Sequence, residues 1–137
     1  MHDAKVVVDS SVFFPFLLRR RSWARQRFQT DLKISFYSPR FFLVELFKHK
    51  ERIAQLSELK QDELLDCLHE LLARVHFVED GSVPLGTWME ARRLCAVDLK
   101  DTPFVALALH LDCRLWTADA ELKSGLRVQG FDCFFEP

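Results

Sequence analysis

The hydrophobic pattern alternates between short β-branched runs and longer segments of helical period. Lys5-Val6-Val7-Val8 is a β-branched run closed by Asp9 and predicts a buried strand. Ser10 and Ser11 are N-cap residues, and Val12 to Leu18 begins a helix that Pro15 bends or interrupts. Helical spacing covers Trp23 to Leu32, and Ile34 to Tyr37 reads as a second strand. Ser38-Pro39 predicts the start of a helix running to about Gln55, with proline near its first turn. Ser57 caps a turn into Gln61 to Arg74, where Leu64, Leu65, Leu68, Leu71 and Leu72 form an apolar stripe. Val75 to Val78 is a third strand. Pro84 to Val97 is a helix with Trp88, Ala91, Leu94 and Cys95 on one face, and Thr102 to Leu111 is another, rich in Ala and Leu. Cys113 to Thr117 reads as a fourth strand, Asp119 to Ser124 as a short helix stopped by Gly125, and Phe131 to Phe135 as a last strand.

Strands and helices alternating in this way predict an α/β fold around a central, mostly parallel sheet. The 137 residues, 49% of them hydrophobic, suffice for one domain, and no repeat or composition break divides them. The helical pair from Pro39 to Arg74 is expected as a hairpin within that domain.

A net charge of -1, from 19 basic and 20 acidic residues, does not by itself mark a nucleic-acid binder. The distribution is less even: Arg19, Arg20, Arg21, Arg25 and Arg27 crowd one stretch, and Lys48, His49 and Lys50 another. Such runs either track a phosphate backbone or form solvated helix faces. Cys67, Cys95, Cys113 and Cys133 lack the spacing of a zinc site and read as reduced, half-buried thiols. With no secretory leader at Met1 and no apolar run long enough for a bilayer, the expected location is cytoplasmic.

Candidate chemistry lies in the acids. Ligands of open parallel sheets bind at the carboxyl ends of the strands. Asp9 ends the first strand, Asp119 follows the fourth, and Asp101 precedes the helix leading into the fourth. Glu45 sits within Phe41-Phe42-Leu43-Val44-Glu45-Leu46-Phe47 and is expected to be partly buried, which costs several kcal/mol unless it is paired or bound to a metal. Each has an ordinary explanation: Asp9, Asp101 and Asp119 as helix caps, Glu45 paired with His49. Taken together, convergence on one hard divalent cation is the more economical account, because like charges held together repel until a cation neutralises them. Magnesium or manganese there would activate water against a phosphodiester.

Four segments in order carry a resemblance: Val-Val-Val-Asp9-Ser-Ser; Val44-Glu45-Leu-Phe-Lys-His-Lys-Glu-Arg-Ile; Asp98-Leu-Lys-Asp101-Thr-Pro-Phe-Val-Ala-Leu-Ala-Leu; and Leu115-Trp-Thr-Ala-Asp119-Ala-Glu-Leu. Over nearly its whole length the chain resembles the PIN-domain nucleases, above all the small prokaryotic kind related to toxin ribonucleases of toxin–antitoxin pairs. The resemblance implies a three-layer α/β/α sandwich, an acidic pocket for Mg²⁺ or Mn²⁺, cleavage of single-stranded RNA by water, frequent homodimers and, for toxins, an antitoxin partner. Carried over by motif, Asp9, Glu45, Asp101 and Asp119 are the core acids, and Asp98 is an extra acid near the metal or a solvated loop charge. Ser11 and Thr117 match small polar positions near the metal, and Ala118 stands where relatives often carry Asn or Arg. Arg19, Arg20, Arg21, Lys48, His49 and Lys50 are the candidate RNA contacts, weighed against solvated surface. Phe13, Phe14, Phe16, Phe41, Phe42 and Phe47 are expected in the core, any surplus serving a dimer or partner surface, and Trp116 is expected in the core. Two other readings compete: a PIN-like module that binds RNA or protein without cutting, against which the intact acid set argues, and, ranked last, a receiver or phosphatase, for which this chain lacks a lysine at a comparable strand end.

Overall fold

The computed structural model describes residues 4–30 and 33–137. Among the described residues, four strands form one sheet: β1 (Ala4–Val8), β2 (Ile34–Pro39), β3 (Val75–Val78) and β4 (Arg114–Trp116). All pairings are parallel, in the order β3-β2-β1-β4. The helices are α1 (Ser10–Leu18), α2 (Trp23–Thr30), α3 (Phe41–Lys48), α4 (Lys50–Leu56), α5 (Gln61–Arg74), α6 (Leu85–Leu94), α7 (Thr102–Leu111) and α8 (Ala120–Val128). No described helix is long and apolar enough to cross a membrane.

Successive residues of a strand point to opposite faces. Val6, Val7 and Val8 are all buried, so helices cover both faces of the sheet, as the valine run required. α7 packs on β1, β2 and β4 with α6 against it, while α1 packs against α2, α4 and α5. Phe13, Phe16, Phe36, Phe42, Phe104 and Trp116 fill the core, and the rings of Phe13 and Phe42 lie 4.4 Å apart. From β1 the chain crosses to β2 and β3 on one side, then returns to β4 on the other. That reversal is the switch point at which parallel sheets open a crevice, and it lies between the carboxyl ends of β1 and β4.

Several boundaries differ from the sequence reading. Ser38 and Pro39 end β2 instead of opening a helix: proline disfavours helical backbone at Ser38, and Pro39 pairs with Val78 at the strand end, where its missing N–H is tolerated. The single helix expected to Gln55 is two, broken at His49 (φ -104°, ψ 12°). α5 buries Leu64, Cys67 and Leu71 and partly buries Leu68, while Leu65 and Leu72, one position further round the helix, face solvent. Phe47 is 70% exposed, not core. The expected strand from Phe131 to Phe135 reduces to one parallel bridge between Leu115 and Phe134. Cys133 is exposed, against the expectation for all four thiols, whereas burial raises the thiols of Cys67, of Cys95 to about 12 and of Cys113 to about 11. The expected end of the second helix at Leu32 lies outside the described residues.

Gly125 does not stop α8. The helix continues to Val128 and buries Leu126, and the left-handed glycine is Gly130 (φ +97°). A β-carbon at Gly125 would lie 3.3 Å from Cγ2 of Val97, a side chain 76% exposed and free to give way. Gly125→Ala is therefore expected to stabilise the protein by about 0.5–1 kcal/mol, the helix-propensity gain, read as a higher denaturation midpoint in urea.

Candidate active site

Asp9 follows directly on β1, its N–H donating to the Trp116 carbonyl (2.9 Å), and its carboxylate is buried at 2% exposure. It occupies the N-cap of α1 without a capping side-chain bond. Instead, Ser11 Oγ and Thr117 Oγ1 each donate to the same oxygen, Oδ2, at 2.7 Å. Oδ1 accepts a long Ser10 Oγ contact at 3.5 Å, and the backbone N–H groups of Ser10 and Ser11 also act on the carboxyl. The two hydroxyls in turn accept backbone amides of the β4–α8 loop: Ala118 N–H to Ser11 Oγ (2.9 Å) and Asp119 N–H to Thr117 Oγ1 (3.1 Å). The loop thus polarises both hydroxyls toward Asp9. Burial, the largest influence, pushes the Asp9 carboxyl up, and the bonds from Ser11 and Thr117 oppose it. At position 118 the contact is made by the backbone, so alanine supplies it as well as Asn or Arg would.

The other acids meet Asp9 through the electrostatic field. Asp101 closes a 3-10 turn (Leu99–Asp101) and stands half-buried at the N-cap of α7, again without a capping bond. Its carboxyl is pushed up to about 7, first by burial and then by the negative charges of Asp9, Asp98, Asp119 and Glu45. Glu45, half-buried on α3, is raised by burial and then by Asp9, against the opposing charges of His49, Lys100 and Lys48. Five acids from four separate segments therefore act on one another. The capping explanation holds for Asp119, whose Oδ1 accepts the N–H groups of Glu121 (3.0 Å) and Leu122 (3.1 Å), leaving Oδ2 for another partner. It also holds for Asp98, which accepts Lys100 N–H at 3.0 Å. Asp98, Asp101 and Asp119 line one small cavity of about 40 Å³.

Among the described residues, no group of three His, Cys, Asp or Glu side chains is arranged to hold a metal ion directly. The donor set nonetheless suits a hard cation: it is anionic and made of oxygen, and its mutual repulsion helps to hold the Asp101 carboxyl up at about 7. Mg²⁺ needs only one or two direct carboxylates and keeps several waters, through which more distant acids act.

The basic candidates separate. Lys48 and His49 face the Glu45 charge, and the His49 ring lies edge-on to Phe14 at 6.5 Å. Lys50 instead sits 4.0 Å over the Phe47 ring. Arg20 is engaged with Glu63 (3.2 Å) and the Glu58 carbonyl (2.8 Å). Arg25 donates to the carbonyls of Phe16, Arg19 and Arg20, tying α2 to the end of α1. Arg19 and Arg21 make no ion pair among the described residues. Lys100, a cation acting on Glu45, went unnoticed in the sequence, although its place between Asp98 and Asp101 is the signal that points to it.

Thr117→Val keeps the shape and removes one donor to Asp9 and the acceptor for Asp119 N–H. The expected cost is about 1 kcal/mol of stability. The Asp9 carboxyl also moves further up, so any Mn²⁺ affinity is expected to fall at pH 7 and to recover toward pH 9, as read by calorimetric titration at both pH values.

The chain matches the PIN domain family over residues 7–133. Among solved structures it is similar to the PAE2754 protein from Pyrobaculum aerophilum, with a TM-score of 0.61 and 15% sequence identity, covering 93% of this chain and 87% of that one. At that identity the likeness concerns the fold. A comparison with curated proteins found no match.

Proposed function

The chain belongs to the PIN domain family, generally metal-dependent nucleases that bind a divalent ion, and on that premise we propose that it is a Mg²⁺- or Mn²⁺-dependent endoribonuclease acting on single-stranded RNA. The observation that carries the reading is the shared field of Asp9, Glu45, Asp98, Asp101 and Asp119 at the sheet's switch point. Asp9, Glu45, Asp101 and Asp119 would hold the ion, with Asp98 at the rim. When bound, the ion lowers the pKa of a coordinated water and offsets charge developing on the phosphate. Ser11 and Thr117 fix the Asp9 carboxylate by occupying Oδ2, which leaves Oδ1 for a ligand. Lys48, His49 and Lys100 supply positive charge beside Glu45, where a phosphate oxygen gains negative charge.

A toxin role, an antitoxin partner and a homodimer belong to the same proposal. The exposed Val44 and Phe47 on α3 are apolar surface that a partner would cover. The test is a fluorescent single-stranded RNA incubated with purified protein and increasing Mn²⁺. Cleavage that requires the ion and is lost with EDTA supports the reading; intact RNA bound tightly at every Mn²⁺ concentration would favour a non-cutting RNA-binding module.

A further inference from the structure

Three depressions adjoin one another along α2, starting at Ser11 beside the acid cluster. The first, about 240 Å³, is lined by Ser11, Val12, Pro15, Arg19, Arg21 and Ala118, among others. Ser11 is the residue whose hydroxyl donates to Asp9. The second, about 600 Å³, shares Arg21 and Ser22 with the first and adds Gln26 and Gln29. The third, about 530 Å³, shares Gln26 and Gln29 with the second and reaches Thr30. Among the described residues, no Asp or Glu side chain lines any of the three, in a chain with 20 acidic residues, although Pro137 stands at the far end of the third.

We infer that this α1–α2 face is the track on which a single-stranded phosphodiester strand runs away from the site of cleavage, with Arg19 and Arg21 as its first phosphate contacts. The inference rests on the nuclease reading for where the strand is cut, and on the depressions for where it goes. Arg20 and Arg25 also face the second depression, but their guanidinium groups are committed to Glu63 and to backbone carbonyls, so they shape the wall. Arg19 and Arg21 have no such commitment among the described residues, which suits them to mobile phosphates. Val12, Pro15 and Ala24 give the first depression an apolar floor for a base or ribose, and its volume, below the roughly 300 Å³ of a drug-sized pocket, suits a single nucleotide unit. Gln26 and Gln29 offer both donors and acceptors to successive sugars and bases, without a fixed sequence preference. The eight residues of α2 rise about 12 Å, so the track serves a few nucleotides. An acidic peptide would satisfy Arg19 and Arg21 but offers no base or ribose to the apolar floor beside them. The alternation of cation, apolar floor and amide along the path therefore favours the nucleic acid.

The test is fluorescence anisotropy of a labelled ten-nucleotide RNA in EDTA, so that nothing is cut, over a range of salt concentrations. The double variant Arg19→Ala/Arg21→Ala is compared with wild type and with Arg92→Ala/Arg93→Ala on α6. The track predicts affinity lower by at least about fivefold in the first variant. It also predicts a log–log salt slope shallower by about 1.4, two contacts at roughly 0.7 each, with the α6 variant unchanged. Equal affinities and slopes in all three proteins overturn it, as does displacement of the RNA by polyglutamate of matched charge at matched concentration. With Mn²⁺ present, wild type that cuts no RNA refutes the nuclease reading, while the loss of binding in the double variant still upholds the track.

Discussion

Asp101→Asn is expected to reduce metal-dependent RNA cleavage by on the order of 10³-fold, and to raise the melting temperature of the metal-free protein at pH 8. The rate loss follows from removing one anionic oxygen from the proposed metal site, where an ion would contribute several kcal/mol to the transition state, each 1.36 kcal/mol being tenfold. The gain in stability follows from the field around that carboxyl. Its pKa of about 7 reflects burial and the charges of Asp9, Asp98, Asp119 and Glu45, all of which oppose ionisation. Asn keeps the shape, carries no charge, and replaces no capping bond, because Asp101 makes none. After allowance for solvent screening, the gain is on the order of 1–2 kcal/mol, a few degrees in a protein of this size. Circular dichroism melts at pH 8 in EDTA, paired with cleavage assays, read both effects. A large drop in melting temperature would mean that Asp101 holds the N-terminus of α7 after all.

The wild-type protein without metal is expected to be more stable near pH 5 than near pH 8, and Mn²⁺ is expected to remove that difference. In the unfolded chain Asp101 ionises near its ordinary value of 3.8; folded, it holds its proton to about 7. Between those values the native state binds the extra proton, so stability falls as pH rises from about 4 to 7 and levels off above. Asp9 and Glu45, both raised by burial, act in the same direction. A divalent ion competes with those protons, so it binds weakly at pH 5 and well at pH 8. At a hundred times its dissociation constant it adds about 2.7 kcal/mol to the native state. Melts over pH 5–8, with and without Mn²⁺, check both halves. A flat metal-free profile would mean that the acids are spaced too widely to feel one another.

The α/β class and the extents of α5 and α7 are legible in the sequence because valine runs and leucine periodicity report burial directly. Boundaries that depend on a distant partner are not. Ser38-Pro39 is extended because β3 offers Val78 as a register partner, and the stretch from Phe131 to Phe135 yields one bridge because only Leu115 faces it. The acids divide on the same line. Strand ends place Asp9 and Asp119, so those positions are readable. Whether an aspartate caps a helix or faces a pocket is decided by side-chain geometry, and Asp9 and Asp101 are not caps while Asp98 and Asp119 are. The arginine run from Arg19 to Arg27 reads as a single basic stretch, yet folding gives Arg20 and Arg25 structural partners and leaves Arg19 and Arg21 without ion pairs among the described residues.

Of the two hydroxyls that steady the Asp9 carboxylate, one arrives 108 residues later in the chain. During synthesis, a growing polypeptide carries the first acid long before Thr117 and Asp119 emerge from the ribosome. The acid cluster is then complete only when the final strand slots in beside the first, so on the proposed nuclease reading a chain stalled before that point would lack the means to cut.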